Sequence, residues 1–265
     1  EPMIEAIKNV FRQNEQEVEK PSPLMMLSEV RTVFELGMYV AAYPLLRLTP
    51  PKGDGHPIMV LPGFMTGDLT TVPLRHFLNG LGYNAYPWNM GPNLADQQVE
   101  LPLMKRVMRL YNRHNQKVTL IGWSLGGVYA REIARVIPDY VRQVITLASP
   151  FAGIDKPNNA VWIYQLIKGG ASKADISPDL LDRIKRPVPV PTTAIYSKYD
   201  GVVSWQHCIE QQETPITQNI EVECSHSGFG HHPAVLMCVA ELLAQPEDNW
   251  QKYNKTEGWR KWLYK

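Results

Sequence analysis

Cysteine is scarce in this chain: Cys208, Cys224 and Cys238 are the only three in 265 residues, with no Cys-x-x-Cys spacing and no zinc-ligand pattern nearby. That argues against a disulfide-built scaffold or a structural zinc site. It leaves buried or free thiols and leans toward a reducing, cytoplasmic compartment, because one bridge would still strand a thiol. Excess charge is also missing, since 27 Lys and Arg stand against 26 Asp and Glu for a net charge of +1. Bulk electrostatics therefore favour neither nucleic acid nor any strongly charged surface, and no recognisable nucleic-acid module accompanies the charge. Internal repeats and low-complexity tracts are absent as well, which sets aside solenoids and disordered arrays. The chain begins at Glu1 rather than at methionine, so the absence of a targeting segment from it is weak evidence about compartment.

What is present is an ordinary globular composition, 44% hydrophobic and 20% charged, long enough to bury a large core as one α/β domain. Residues 1–20 carry Ile4, Ile7, Val10 and Phe11 at helical spacing before Pro21 and Pro23 break the pattern, which predicts an N-terminal helix outside the main core. Residues 27–48 are apolar but interrupted by Glu35 and Pro44, too short for a membrane span. A packed helix is the favoured reading. Peripheral contact with a membrane surface stays open beside it.

Pro50–Gly55 reads as a linker, so the expected organisation is a helical extension over 1–52 and one α/β domain over 53–265. Pro57–Leu61 is a short apolar strand, Leu74–Leu81 a helix, Asn84–Pro87 a strand end, Gln97–His114 a long helix and Val118–Ile121 a strand. A helix to Ile137 follows, then strands at Val141–Leu147, Thr192–Tyr196 and Asn219–Val222 and a helix from Pro233. Strands alternating with helices predict a mostly parallel, doubly wound sheet with helices on both faces. Residues 151–190 break the rhythm with a Pro, Gly, Asn and Lys mixture around Trp162 and Tyr164, expected to form a short cap over the site.

The chemistry centres on Gly122-Trp123-Ser124-Leu125-Gly126, which lies between an apolar strand and a helix. A serine on so sharp a turn leaves no room for side chains two residues away, hence the glycines. Such a pattern requires an acid and then a histidine, each after a strand. Asp200 follows the Thr192–Tyr196 strand and His226 follows the last one. His226 would take the proton from Ser124 and return it to the leaving group, while Asp200 fixes the ring tautomer. Asp155, Asp175, Asp179 and Asp182 fall in the insertion, where a solvated face explains them, and His231 and His232 read as polar packing at a helix start. His56 reads as a loop residue. An oxyanion hole would use the N–H of Leu125 and that of Phe64, in the loop after the first strand. Met65, Trp123, Trp162 and Phe229, with Phe64, Leu125 and Tyr164, are candidate pocket residues for an apolar acyl or alcohol group. No metal-ligand pattern or cofactor motif is found, so neither is expected.

From Pro57 to about Gln245 the chain resembles the α/β-hydrolase superfamily. Leu120-Ile121-Gly122-Trp123-Ser124-Leu125-Gly126-Gly127 is similar to the elbow of pimeloyl-ester carboxylesterases. Leu61-Pro62-Gly63-Phe64 resembles the His-Gly-x loop of bacterial lipases and esterases, with proline in place of the usual histidine and its bracing side chain. The resemblance implies the α/β-hydrolase fold and a serine esterase or lipase acting on a small-molecule ester or lipid. Acyl transfer by the same acyl-enzyme, or an inactive hydrolase-fold binding protein, are the alternatives. Residues 1–50 inherit nothing from it, and the C-terminal Trp- and Lys-rich run 250–265 is expected to pack along the domain surface.

Overall fold

A computed structural model describes residues 21–153 and 178–265. The helix expected over 1–20, most of the expected cap and Trp162 with it lie outside the described residues.

Six parallel strands form the sheet: β1 (Pro57–Leu61), β2 (Asn84–Pro87), β3 (Val118–Trp123), β4 (Val141–Leu147), β5 (Thr192–Tyr196) and β6 (Thr217–Glu221). Their order is β2-β1-β3-β4-β5-β6. β1, β3 and β4 are almost wholly buried along their length, as parallel strands covered on both faces must be. The chain runs outward from β1 to β2 and then returns to the other side of β1 at β3. This reversal leaves a crevice at the carboxyl ends of β1 and β3.

Helices α1 (Pro23–Leu27), α2 (Thr32–Leu48), α3 (Val72–Leu81), α4 (Glu100–His114), α5 (Leu125–Val136), α6 (Pro178–Lys185), α7 (Pro233–Leu243) and α8 (Arg260–Leu263) surround it. Two apolar cores result. One packs α4 and α5 on the sheet through Leu103, Val107, Val128 and Ile133, and the other packs α3 and α7 on the opposite face through Phe77, Leu78, Val235 and Leu242. Leu103, Val107 and Leu110 sit at i, i+4 and i+7 on α4, the stripe a sheet-facing helix requires.

The end of the expected cap rejoins the core, because Ile184, Val188 and Val190 are buried in the first cluster. The last strand starts two residues earlier than the apolar run suggests, at Thr217, and Val222 instead bridges antiparallel to Tyr264. Tyr264, 2% exposed, donates its hydroxyl to Ala234 O at 2.8 Å, so the C-terminal run is anchored along the domain as expected.

His56 lies in the loop just before β1, as expected, and carries a structural role there. It is fully buried, pairing Nε2 with Thr119 Oγ1 at 2.9 Å and Nδ1 with Asp54 Oδ1 at 2.5 Å. Burial pushes its pKa down to about 4, helped by the Arg142 charge and opposed by Asp54. The histidine is a structural peg under the sheet, invisible to local pattern because Thr119 lies on another strand. His232 caps α7, its Nδ1 accepting from Ala234 N at 3.2 Å, and the three cysteines are free and buried.

α2 packs through Tyr39, Ala42 and Leu46 onto the second core, in line with a packed helix. Its other face is open, with Val33, Phe34, Val40, Leu45 and Leu48 between 64% and 79% exposed. Among the described residues no helix is long and apolar enough to cross a membrane.

Candidate active site

β3 ends at Trp123 and α5 begins at Leu125, so the reversal is carried by Ser124 alone, at φ 52° and ψ −123°. This is backbone a non-glycine residue occupies only when its surroundings force it, at a cost of about 1–3 kcal/mol. The surroundings are close. A Cβ at Gly122 would stand 2.3 Å from Gly127 Cα, and one at Gly126 2.3 Å from Leu61 O. Backbone bonds fix the turn from both sides, Ser124 N–H donating to Leu147 O at 2.8 Å and Gly127 N–H to Ser124 O at 3.0 Å. Ser124 is 4% exposed and sits at the positive end of the α5 dipole.

Asp200 and His226 meet after β5 and β6, with His226 Nδ1 and Asp200 Oδ2 at 2.7 Å. The other carboxylate oxygen, Oδ1, accepts the N–H groups of Val202 and Val203, each at 2.8 Å. Asp200 is therefore orientated by its own loop and has one oxygen left for the ring. Burial lowers the His226 pKa, but the Asp200 charge and hydrogen bond and the Glu29 charge outweigh it, and the net shift is upward. Ser197 Oγ joins the two loops by accepting from Tyr199 N at 3.0 Å and Cys224 N at 3.1 Å.

The histidine loop is also tied to the serine turn. Trp123, adjacent to Ser124, donates its indole N–H to His226 O at 3.1 Å. Ser124 Oγ itself makes no hydrogen bond to the imidazole among the described residues. Such contacts are commonly long before substrate binds.

The loop after β1 closes the third side. A Cβ on Gly63 would lie 3.3 Å from Ser124 Cβ, so this loop abuts the turn directly. Proline stands where the resembling lipases have a bracing histidine, and Asn93 does the bracing instead. Fully buried, it donates from Nδ2 to Pro62 O at 2.8 Å, while its backbone exchanges bonds with Met65 N and Thr66 O, both at 2.8 Å. Phe64 is buried beside it and Leu125 opens α5, the two positions from which backbone N–H groups were expected to converge.

The side chains expected to bind substrate are scattered. Met65 is 68% exposed, with φ 55°. Phe229 is fully buried in the core against α7 rather than facing a pocket, because it occupies the tight 3₁₀ turn Ser227–Gly230 whose apolar side has only the core to pack against. Trp123 is turned toward the histidine loop. Of the alternative carboxylates, Asp182 is exposed, while Asp155, Asp175 and the side chain of Asp179 lie outside the described residues. His231 contacts Thr32 O at 3.2 Å and takes no part in the Asp200 pair.

Two site residues come from the helical extension. Glu29 accepts from the backbone N–H groups of Gly201, His226 and Ser227, and Glu35 accepts from Ser225 N at 2.9 Å and from Ser225 Oγ. No sequence signal marks them, since their partners lie more than 170 positions away.

Comparison with known proteins agrees with this architecture. The model of the PGAP1-like alpha/beta domain family matches residues 84–169. Among solved structures the chain is similar to Aspergillus fumigatus lipase B, with a TM-score of 0.57 and 16% identity over 75% of this chain. It spans 55% of that lipase. An alpha/beta superfamily hydrolase from Oenococcus oeni aligns with a TM-score of 0.54 and 15% identity over 74% of this chain and 94% of its own. The monoacylglycerol lipase of Paleococcus ferrophilus aligns at 0.51 and 15% over 71% and 96%. No curated protein sequence matches.

Proposed function

We propose that this chain, which has the α/β-hydrolase fold, is a serine hydrolase of carboxylic esters with Ser124 as nucleophile. The observation that carries the reading is the buried Asp200–His226 pair, at 2.7 Å, on a loop held to the residue preceding the strained Ser124. A serine hydroxyl is a poor nucleophile near neutral pH and needs a base with nothing else to do. With Nδ1 engaged by Asp200, Nε2 of His226 is the nitrogen left for that work.

In the proposed cycle Ser124 Oγ attacks the ester carbonyl as its proton passes to His226 Nε2. The tetrahedral oxyanion is stabilised by the N–H of Leu125, the dipole of α5 and a second donor at Phe64. His226 gives the proton to the departing alcohol, leaving an acyl group on Ser124. Water, deprotonated by the same imidazole, then releases the acid and restores the serine.

The exposed apolar band on α2 favours an ester presented at a lipid surface over a freely soluble one. Between residues 21 and 48, Arg47 is the only exposed charged side chain. A series of p-nitrophenyl esters of rising acyl length, assayed with and without phosphatidylcholine vesicles, tests the reading. Turnover of longer esters that rises with vesicles and is lost in Ser124→Ala supports it; turnover that Ser124→Ala leaves unchanged overturns it. Addition of an alcohol acceptor, with new ester as product, would reassign the same acyl-enzyme to acyl transfer.

A further inference from the structure

We propose that Glu29 is a positioning residue for this site: its carboxylate clamps the acid loop to the histidine loop and so holds His226 against Asp200. The inference rests on the serine-hydrolase reading and adds to it a part of the chain outside the superfamily resemblance.

The geometry is specific. Glu29 Oε1 accepts from Gly201 N at 2.9 Å and from His226 N at 3.0 Å, and Oε2 accepts from Ser227 N at 3.1 Å. Gly201 directly follows Asp200, so one carboxylate bridges the backbone beside the acid to the backbone of the base and its neighbour. His226 and Ser227 begin the 3₁₀ turn Ser227–Gly230, whose first N–H groups have no partner within the turn. Glu29 supplies it across 197 positions of sequence. Hydrogen bonds to an ionised acceptor are about twice as strong as neutral ones, and three of them converge here.

Neighbouring contacts show that the segment is seated rather than laid on. Arg31 donates to Tyr199 O at 2.5 Å, on the far side of the acid loop, and Glu35 holds Ser225. A Cβ at Gly201 would lie 2.2 Å from Met25 O, so the acid loop needs glycine where the extension crosses it. The negative charge of Glu29 also adds to that of Asp200 in raising the His226 pKa against burial. Glu29 thus has two effects on the base, one on its position and one on its charge.

Glu29→Gln tests this, because it keeps the shape, removes the charge and turns one acceptor into a donor facing an N–H. The clamp predicts kcat lower by about 10-fold or more with KM little changed, since misplacement of a catalytic group acts on turnover. It also predicts that the His226 ring, followed by NMR titration in protein labelled with ¹⁵N-histidine, titrates at lower pH than in the native protein. The NMR readout needs no substrate, so it reports on Glu29 even if no ester is hydrolysed and the serine-hydrolase reading fails. Glu223→Gln, on an exposed ion pair with Lys265, serves as the control and should leave both readouts unchanged. A Glu29→Gln protein with native kcat and an unmoved His226 titration overturns the proposal, whatever its melting temperature.

Discussion

The indole nitrogen of Trp123 donates to the carbonyl oxygen of His226 at 3.1 Å, joining the residue before the candidate nucleophile to the candidate base. The bond spans 103 positions of sequence and fixes the distance between two loops that enter the site from β3 and β6. An aromatic that local composition suggests as a pocket wall thus also serves as a strut.

Trp123→Phe keeps the ring and removes the donor. It should lower stability by about 1 kcal/mol, the ordinary worth of a partly buried hydrogen bond, and lower kcat more than it raises KM. Urea denaturation together with steady-state kinetics measures both; a change confined to KM would return Trp123 to the substrate pocket.

Asp200→Asn should reduce kcat by about 10³–10⁴-fold while the protein still folds, because an amide can hold the wrong imidazole tautomer. In the native protein kcat/KM should rise with pH along an acid limb whose midpoint lies above 6.5, since the His226 pKa is raised from that value by Asp200 and Glu29 against burial and only the neutral ring accepts a proton. A limb centred at or below 6.5 contradicts the upward shift of His226.

His56 has the opposite sign. Its folded pKa of about 4 lies below the ordinary 6.5, so the unfolded chain takes up a proton first as pH falls. Stability should be full above pH 6.5 and decline through the window from 6.5 to 4, by a loss on the order of 3 kcal/mol. Denaturation midpoints at pH 7.5 and 4.5, for the native protein and His56→Gln, separate this contribution from the other titrating groups, and equal pH sensitivity in the two would refute it.

The strands, the serine turn and the ordered Asp and His were legible in the sequence because each is a local pattern: an apolar run, glycines two residues from a serine, a polar residue just past a strand. Phe229 was misleading for the same reason. Side-chain chemistry alone cannot tell a core ring from a pocket ring when the deciding neighbour, α7 for Phe229, is distant in sequence. Glu29, Glu35 and Asn93 left no pattern at all. Their partners are backbone groups, which every residue has, and for Glu35 also the Ser225 hydroxyl 190 positions away, so neither composition nor periodicity singles them out. The helical extension read as a separate appendage is, through the carboxylates of Glu29 and Glu35, part of the wall around His226.

The most direct test of the central claim is mass spectrometry of the protein treated with a fluorophosphonate, which marks a serine only where a base activates it. One phosphonyl group per chain is expected on the peptide containing Ser124, with none in Ser124→Ala and strongly slowed labelling in His226→Ala. A native, folded protein that stays unlabelled, or one labelled at another serine, contradicts it.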